Sequence, residues 1–209
     1  MPERASIAGV ILAGGLSRRM GGVEKSLIEL GGVPLVAHAR NRLAPQVARI
    51  VISANGDPER FARFCLPVAG DAVPGYAGPL AGIHSAMLWA RENLPEASHV
   101  LSAAADTPFF PSNLCEKLAA AAATGKIVLA ASGGKTHQVF GLWPVQLAGE
   151  LEDYLANGGR KVMAFVEAHE WSAAEFAILE TGRGPIDPFF NINTPEDVDL
   201  AVAIAAAVT

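Results

Sequence analysis

The chain has 209 residues, of which 51% are hydrophobic and 18% are charged. This composition excludes an intrinsically disordered protein, because disorder requires low hydrophobicity together with high net charge. The formal net charge of −5 argues against a general nucleic-acid-binding surface, and no apolar run reaches the ~18–20 residues that a membrane span requires. The length predicts one domain over residues 1–209.

The two cysteines, Cys65 and Cys115, have no metal-ligand partner at short spacing and imply no disulfide framework. We therefore expect two reduced thiols in a cytoplasmic protein, since disulfides are rare in that compartment. The apolar residues 7–12 run into glycines and arginines without a small-x-small cleavage site, so no secretory signal peptide is expected.

Short apolar runs alternate with longer helical patterns along the chain. The predicted elements are, in order, strand 7–12, helix 34–43, strand 50–53, helix 58–64, strand 66–69, helix 79–92, strand 100–104, helix 111–123, strands 127–131 and 139–143, helices 147–156 and 161–169, strand 176–179 and a last helix from residue 194. Ser112 or Asn113 is the expected cap of the helix near residue 111. Thr194 caps the last helix, with Asp197 three residues on.

Strand–helix alternation predicts an α/β protein with right-handed crossovers and a mostly parallel sheet, arranged as a Rossmann-like three-layer α/β/α fold. In such sheets, ligands bind outside the carboxyl ends of the strands. The residues of interest do follow predicted strands: a glycine-rich segment follows the first, Ser53 and Asn55 the second, Asp71 the third and Asp106 the fourth.

The strongest motif reads Leu12-Ala13-Gly14-Gly15-Leu16-Ser17-Arg18-Arg19-Met20-Gly21, with Lys25 shortly after it. Glycines after a strand let backbone N–H groups approach a phosphate, and Arg19 and Lys25 add cationic groups. The spacing matches neither a Walker A loop nor the dinucleotide fingerprint G-x-G-x-x-G, so a P-loop ATPase and an ordinary NAD site are excluded. A glycine turn with solvated charges is the alternative interpretation.

Three further motifs accompany this segment. Asp106, in Ala-Asp-Thr-Pro after a buried strand, is a candidate Mg²⁺ ligand, although an aspartate at a turn before proline is the alternative. Residues 75–82 place Gly78 in a Gly-Pro turn that either approaches a planar ligand or only begins a helix. Asn191 and Asn193 lie on one side of an extended segment, where their amides can bind a ligand or form a turn.

The glycine-rich motif resembles the nucleotidyltransferase signature L-A-[AG]-G-x-[ST]-x-R-[ML]-G followed by a lysine. Together with G-P-L-A-G, D-T-P and N-x-N-T-P-E in that order, it resembles the molybdenum cofactor guanylyltransferase family over most of the chain. Members transfer GMP from GTP to molybdopterin and release pyrophosphate. The resemblance implies a nucleotidyltransferase fold, Mg²⁺ as cofactor and GTP and molybdopterin as substrates.

The resemblance also implies roles for individual residues. Arg19, Lys25 and Asp106 would be catalytic, and Asp106 would bind the metal. The residues expected to bind GTP are Leu12, Ala13, Gly14, Gly15, Lys25, Ser53, Asn55, Asp71, Gly78 and Asp106. The family often has asparagine where Ser53 stands, so either Ser53 or Asn55 would make that contact. Asn191 and Asn193 would lie toward molybdopterin.

Other interpretations stay open from the sequence. One is cytidylyl transfer to molybdopterin or nucleotidyl transfer to a sugar phosphate, and another is a non-catalytic nucleotide-binding carrier. His137 is a candidate for contact with the second substrate or for a structural role. We expect a monomer that makes no contact with nucleic acid or membrane and at most transient contacts with molybdoenzyme maturation proteins.

Overall fold

The computed structural model describes residues 2–14, 24–73, 78–122, 126–182 and 184–208, with side chains to residue 204. Within these ranges the strands are β1 (Ile7–Leu12), β2 (Glu29–Leu30), β3 (Val33–Pro34), β4 (Arg49–Ser53), β5 (Val68–Ala69), β6 (His99–Ala104), β7 (Ile127–Ser132), β8 (Lys135–Pro144), β9 (Trp171–Phe176), β10 (Leu179–Thr181) and β11 (Gly184–Ile186). The helices are α1 (Leu35–Leu43), α2 (Pro79–Asn93), α3 (Leu114–Ala121), α4 (Ala148–Ala156), α5 (Val162–Glu167) and α6 (Pro195–Val208). Short 3₁₀ helices cover Arg4–Ser6, Lys25–Leu27, Pro58–Phe64 and Val145–Leu147.

The central sheet has the strand order β5-β4-β1-β6-β8-β7-β9. Only β8 within this sheet runs antiparallel to its neighbours, β6 and β7, so the sheet is mostly parallel, as predicted. Two small antiparallel ribbons, β2 with β3 and β10 with β11, lie outside it. The carboxyl ends of β1, β4, β5, β6, β7 and β9 consequently share one edge, which we call the carboxyl edge.

Helices cover both faces of the sheet, because alternate residues of each strand point to opposite faces. Ile7 and Ile11 of β1 belong to a core cluster that includes α1 and α3, whereas Ala8 and Val10 belong to a cluster that includes α2, α4 and α5. This arrangement confirms the three-layer α/β/α expectation. Helix α6 forms a smaller third cluster with Leu30 and the start of α1.

The predicted strand 176–179 is wrong. Its residues divide between the end of β9, which pairs in parallel with β7, and the start of β10, which turns back on β11. In β9 only Ala174 and Phe176 are buried, because this edge strand is covered on one face. It therefore lacks the continuous apolar run from which buried parallel strands are predicted. The β2–β3 and β10–β11 ribbons were not predicted, because each strand has only two or three residues.

Capping differs between α3 and α6. Asn113 precedes α3 but makes no side-chain cap, and α3 begins three residues later than predicted. Its Cys115 N–H is instead satisfied by Oε1 of Gln46, a residue 69 positions away, at 2.9 Å. The cap of α6 is confirmed, since Thr194 Oγ1 accepts from the N–H of Asp197 at 3.3 Å. None of the helices described is long and apolar enough to cross a membrane.

Candidate active site

The strands that precede the predicted site residues end side by side. Leu12 of β1 is in register with Ser53 of β4 and with Ala104 of β6. Just beyond the strands, the N–H of Ala13 donates to Ser53 O at 3.0 Å, and the N–H of Ala105 donates to Leu12 O at 3.1 Å. The glycine-rich segment and Asp106 therefore leave the sheet together at the carboxyl edge. Gly15 and Arg19 lie outside the described residues.

Three predicted residues from three separate motifs meet at this edge. Nζ of Lys25 donates to Oδ2 of Asp106, and it also donates to Oδ1 of Asn193 at 2.6 Å. The side chains of Lys25 and Asp106 keep 17% and 21% of their surface exposed, so the pair is accessible to a ligand. Lys25, Asp106 and Asn193 are called the charged cluster below. The sequence placed Asn193 toward the second substrate, and its amide also contacts the residue expected to bind phosphate.

Thr107, for which the sequence indicates no role, contacts the charged cluster through Asp106. Its fully buried hydroxyl donates to Oδ1 of Asn191 and lies 3.3 Å from Oδ1 of Asp106. The next residue of that segment, Ile192, donates its N–H to the Asp106 carbonyl at 2.9 Å. Asn191 therefore fixes the chain that carries Asn193 against the loop that carries Asp106. The presence of a hydroxyl next to Asp106 was the available sequence signal.

Asn55 and Asp71 form a second cluster at the ends of β4 and β5. Nδ2 of Asn55 donates to Oδ2 of Asp71 at 2.7 Å, and Oδ1 of Asn55 accepts from the Asp71 N–H at 2.7 Å. The two residues were predicted as separate nucleotide contacts. Their double hydrogen bond fixes the orientation of the Asp71 carboxylate.

The start of α2 approaches this edge closely. Gly78 has φ 72° and ψ −158°, a conformation that is essentially restricted to glycine. A Cβ at Gly82 would lie 2.4 Å from Oγ of Ser53 and 2.8 Å from Cδ2 of Leu12. These glycines let the helix pack against the ends of β1 and β4. Ser53 itself is only 5% exposed.

Arg60 and Glu24 are functional candidates that the sequence analysis missed. Nε of Arg60 donates to Oε2 of Glu24 at 2.5 Å, and Nη2 donates to the Asn55 carbonyl at 2.5 Å. Glu24 directly precedes Lys25, so Arg60 connects the segment that carries Lys25 to Asn55 of the second cluster. No sequence signal indicated this contact, because 36 positions separate the two charged residues.

Charge near Lys25 is not limited to Asp106. Oδ2 of Asp197 accepts from the N–H groups of Asn193 and Thr194 at 2.8 and 2.9 Å. The hydrogen bond from Asn193, the one from Thr194 and the nearby Lys25 charge lower the pKa of Asp197. Asp197 is therefore ionised at neutral pH, and it places a second negative charge near the lysine.

Comparison with known proteins gives a consistent result. Residues 9–173 match the family of MobA-like NTP transferase domains. The molybdenum cofactor guanylyltransferase of Mesorhizobium japonicum is 44% identical over 209 residues, covering 99% of each chain. The enzyme of the same name from Rhizobium meliloti is 47% identical over 196 residues, covering 93% of this chain and 89% of that one.

Solved structures agree on the fold. The molybdopterin-guanine dinucleotide biosynthesis protein A of Archaeoglobus fulgidus superposes with a TM-score of 0.72 at 22% identity, covering 95% of this chain and 98% of that one. The family match spans most of the chain and the two relatives span nearly all of it. The chain is therefore a member of the molybdenum cofactor guanylyltransferase family of MobA-like NTP transferases.

Proposed function

We propose that the protein transfers GMP from GTP to molybdopterin, producing the guanine dinucleotide cofactor and pyrophosphate. The observation that carries this proposal is the charged cluster of Lys25, Asp106 and Asn193 at the carboxyl edge, in a chain of this family. A lysine and a metal-binding carboxylate are the groups that a nucleoside triphosphate requires, and they stand where open α/β sheets bind ligands.

The triphosphate would lie along the glycine-rich segment. The Ala13 N–H donates to Ser53 O, so Leu12 and Ala13 would contact the nucleotide through other atoms. The backbone N–H groups of Gly14 and Gly15 would face phosphate oxygens, and Arg19 and Lys25 would neutralise their charge. Lys25 uses two of its three N–H donors on Asp106 and Asn193. An ammonium group can exchange these partners for phosphate oxygens without moving its backbone.

The guanosine would lie toward Asn55, Asp71, Ser53 and Gly78, on the side of β4, β5 and the start of α2. The Asp71 carboxylate is already oriented by Asn55, so it can accept N–H or O–H groups of a nucleoside at little further cost in entropy. Ser53 is buried against Gly82, so we propose that it shapes this pocket more than it contacts the base.

Asp106 fits a Mg²⁺ site in which the bound nucleotide supplies the remaining ligands. Among the described residues no group of three or more metal-binding side chains occurs, and Asp106 contributes a single carboxylate at the charged cluster. Mg²⁺ in nucleotide enzymes is commonly held by one or two carboxylates together with substrate phosphates. When bound there, the ion would neutralise phosphate charge that develops as pyrophosphate leaves.

The chemistry asks little of the protein beyond placement. A phosphate oxygen of molybdopterin attacks the α-phosphorus of GTP in line, the new P–O–P bond forms, and the bond to the β-phosphate oxygen breaks. The attacking phosphate is already ionised at neutral pH, so no general base is required. Lys25 and Arg19 would hold the triphosphate in line and stabilise the departing charge.

All the groups in this proposal come from one chain, so we propose that a monomer over residues 1–209 is sufficient. We also propose that it works in the cytoplasm. Cys115 is buried, which raises the pKa of its thiol to about 11, and neither cysteine is in a disulfide. Both observations are compatible with a reducing compartment.

A direct assay tests the proposed function. The purified protein is incubated with Mg²⁺, molybdopterin and either GTP, CTP or ATP, and both pyrophosphate and the dinucleotide product are quantified. We expect product with GTP at least tenfold faster than with CTP or ATP. Faster transfer from CTP would refute the guanine assignment, and nucleotide binding without product would refute catalysis.

A further inference from the structure

A hydrogen-bonded cluster of Ser132, His137 and Asp187 lies outside the charged cluster. Oγ of Ser132 donates to Oδ1 of Asp187 at 2.8 Å and lies 2.6 Å from Nε2 of His137. Nε2 is also 3.6 Å from Oδ2 of Asp187. The proposed transfer of GMP uses none of these three groups.

The imidazole of His137 is held in a fixed plane. It stacks on the ring of Phe189, with ring centroids 4.3 Å apart and an interplanar angle of 28°. Phe189 in turn packs against Phe140 at 4.9 Å and edge-on against Phe176 at 5.4 Å. The histidine is therefore oriented by packing on one face and by Ser132 at one edge.

This cluster lies at the same edge of the sheet as Asp106. Ser132 ends β7 at the carboxyl edge, and His137 lies on the part of β8 that precedes its pairing with β6 at Gly141. The chain from Asp187 reaches Ile192, which donates to the Asp106 carbonyl at 2.9 Å. Five residues span at most about 18 Å when extended, so this length of chain sets an upper limit on the separation of the two places.

The hydrogen-bond pattern determines which ring nitrogen carries the proton. The Ser132 hydroxyl donates its hydrogen bond to the Asp187 carboxylate, so Oγ of Ser132 can only accept from His137, and Nε2 of His137 therefore carries the proton. In the neutral ring, Nδ1 is then an acceptor. Burial lowers the pKa of His137, and Lys135 lowers it further, while Asp187 and Glu175 raise it. Burial is the largest of these effects, so the neutral ring dominates at neutral pH.

Nδ1 of His137 is available to a ligand. In the described part of the chain no hydrogen bond to this atom is found. The ring nitrogens that are buried without a partner there belong to His84 and His99, so Nδ1 of His137, which has no partner either, is accessible. The Asp187 side chain is 34% exposed beside it. The site thus offers a neutral acceptor and a carboxylate, which suits a ligand rich in N–H donors and disfavours a phosphate.

We propose that Nδ1 of His137 binds the pterin ring of the acceptor substrate by accepting one of its N–H groups, with Ser132 and Asp187 as positioning residues. This inference deepens the proposed function and rests on it. A pterin carries amino and ring N–H donors along one edge, which complements the acceptor pair. The substrate phosphate would then extend along residues 187–193 toward the charged cluster.

The test separates pterin binding from nucleotide binding. Molybdopterin is titrated anaerobically into wild-type protein and into His137→Phe, with pterin fluorescence as the signal, and GTP is titrated separately. His137→Phe keeps a ring against Phe189 but has no Nδ1. We expect molybdopterin affinity to fall about tenfold, GTP affinity to stay unchanged and the molybdopterin KM to rise without a matching change in the GTP KM.

His169→Phe is the matched control. His169 also packs on a phenylalanine, Phe165, at 4.4 Å and contacts a carboxylate, Glu150, at 3.1 Å. It precedes β9 and therefore lies at the opposite, amino edge of the sheet. We expect this variant to bind molybdopterin like the wild type.

Asp187→Asn provides a second measurement if His137→Phe folds poorly. Oδ1 of residue 187 can keep its hydrogen bonds from Ser132 and the Phe189 N–H, so the new NH2 group replaces Oδ2, 3.6 Å from Nε2 of His137. A donor at that place opposes Nε2–H and therefore favours the His137 tautomer with the proton on Nδ1. We expect ¹⁵N NMR shifts of His137 to report that change together with weaker molybdopterin binding. Wild-type affinity in a variant with the changed tautomer, or in folded His137→Phe, would overturn the inference while leaving GMP transfer intact. Failure of the wild type to transfer GMP would instead refute the proposed function, and the fluorescence titration would still decide the pterin contact.

Discussion

Lys25 and Asp106 lie 81 positions apart in the sequence and form an ion pair at the carboxyl edge of the sheet. A partly exposed pair of this kind contributes only ~0–1 kcal/mol to stability. The value of the pair is therefore its placement. It brings a cation for phosphate and an anion for a metal ion to one point before any substrate arrives.

The first prediction follows from that placement. Asp106→Asn keeps the size of the side chain but removes the charge that would hold Mg²⁺, so we expect kcat for GMP transfer to fall by about 10²–10³. Steady-state kinetics with saturating GTP, molybdopterin and Mg²⁺ measure the change. The thermal midpoint should move little, because the ion pair adds little stability.

Asp153→Asn is the control for this variant. Asp153 lies on the exposed face of α4, so its neutralisation should leave kcat within about twofold of the wild type, as surface substitutions usually do. Near-normal kcat in Asp106→Asn would contradict the metal role. An equal loss in both variants would point to a general effect of charge.

The second prediction concerns the pair Asn55 and Asp71. Asn55→Ala removes both hydrogen bonds to Asp71, so the carboxylate loses its orientation. We expect the KM for GTP to rise about tenfold, with a smaller change in kcat, because one positioned hydrogen bond to a charged group is involved. Isothermal titration with GTP would measure the same loss directly.

Asn157→Ala serves as its control, because among the described residues the side-chain amide of Asn157 bonds only to the Asp153 carbonyl at the end of α4. GTP affinity should be unchanged in this variant. If Asn55→Ala binds GTP as tightly as the wild type, the guanosine does not lie against Asp71.

The third prediction tests the close approach of α2 to the strand ends. A Cβ at Gly82 would lie 2.4 Å from Ser53 Oγ and 2.8 Å from Leu12 Cδ2, so Gly82→Ala must displace these two side chains or the first turn of α2. We expect the free energy of unfolding to fall by about 1–3 kcal/mol and the KM for GTP to rise. Urea unfolding measures the first effect.

A compensating variant makes this prediction sharper. Ser53→Ala removes the nearest atom, Oγ, so the double variant Gly82→Ala/Ser53→Ala should regain part of the lost stability. Gly149→Ala is the control, because a Cβ there, in α4, would meet nothing within 4 Å. That change should stabilise the protein by about 0.5–1 kcal/mol. A double variant no more stable than Gly82→Ala would show that the contact with Ser53 is not the cause.

The sequence predicted most of the sheet and the edge at which the candidate site residues meet. Strand–helix alternation was sufficient because parallel strands with long crossovers leave few topologies. It placed Asp106 after a strand and Asn193 in an extended segment, but could not show that both contact Lys25. Such contacts depend on how loops from distant parts of the chain pack, and local patterns do not encode that.

The same limit explains what was missed. The bridge from Arg60 to Glu24 and the capping of α3 by Gln46 join residues 36 and 69 positions apart. Charged and amide residues of this kind are common on surfaces, so neither stands out in a sequence. The β9 edge strand was missed for a different reason, because only one of its faces is covered and its apolar pattern is weak.

The last prediction concerns stability and pH. His84 of α2 is fully buried, and in the described structure both of its ring nitrogens lack a hydrogen-bond partner. Burial lowers the pKa of His84, with a raising effect of Glu152 and a further lowering effect of Arg91. The folded protein therefore disfavours the charged ring.

The sign of the effect follows from proton binding. In the unfolded chain a histidine takes up a proton near pH ~6.5, whereas the folded protein resists protonation of His84 until a lower pH. Stability should therefore be retained above about pH 6.5 and lost progressively below it.

Leucine at position 84 cannot titrate and leaves no unpaired nitrogen, so the stability of His84→Leu should depend less on pH. Urea unfolding at pH 7.5, 6.5 and 5.5 measures both slopes. The slope that remains should come mainly from His99 and His137, whose pKa values burial also lowers. Equal slopes in wild type and His84→Leu would show that His84 is protonated equally in the folded and unfolded states.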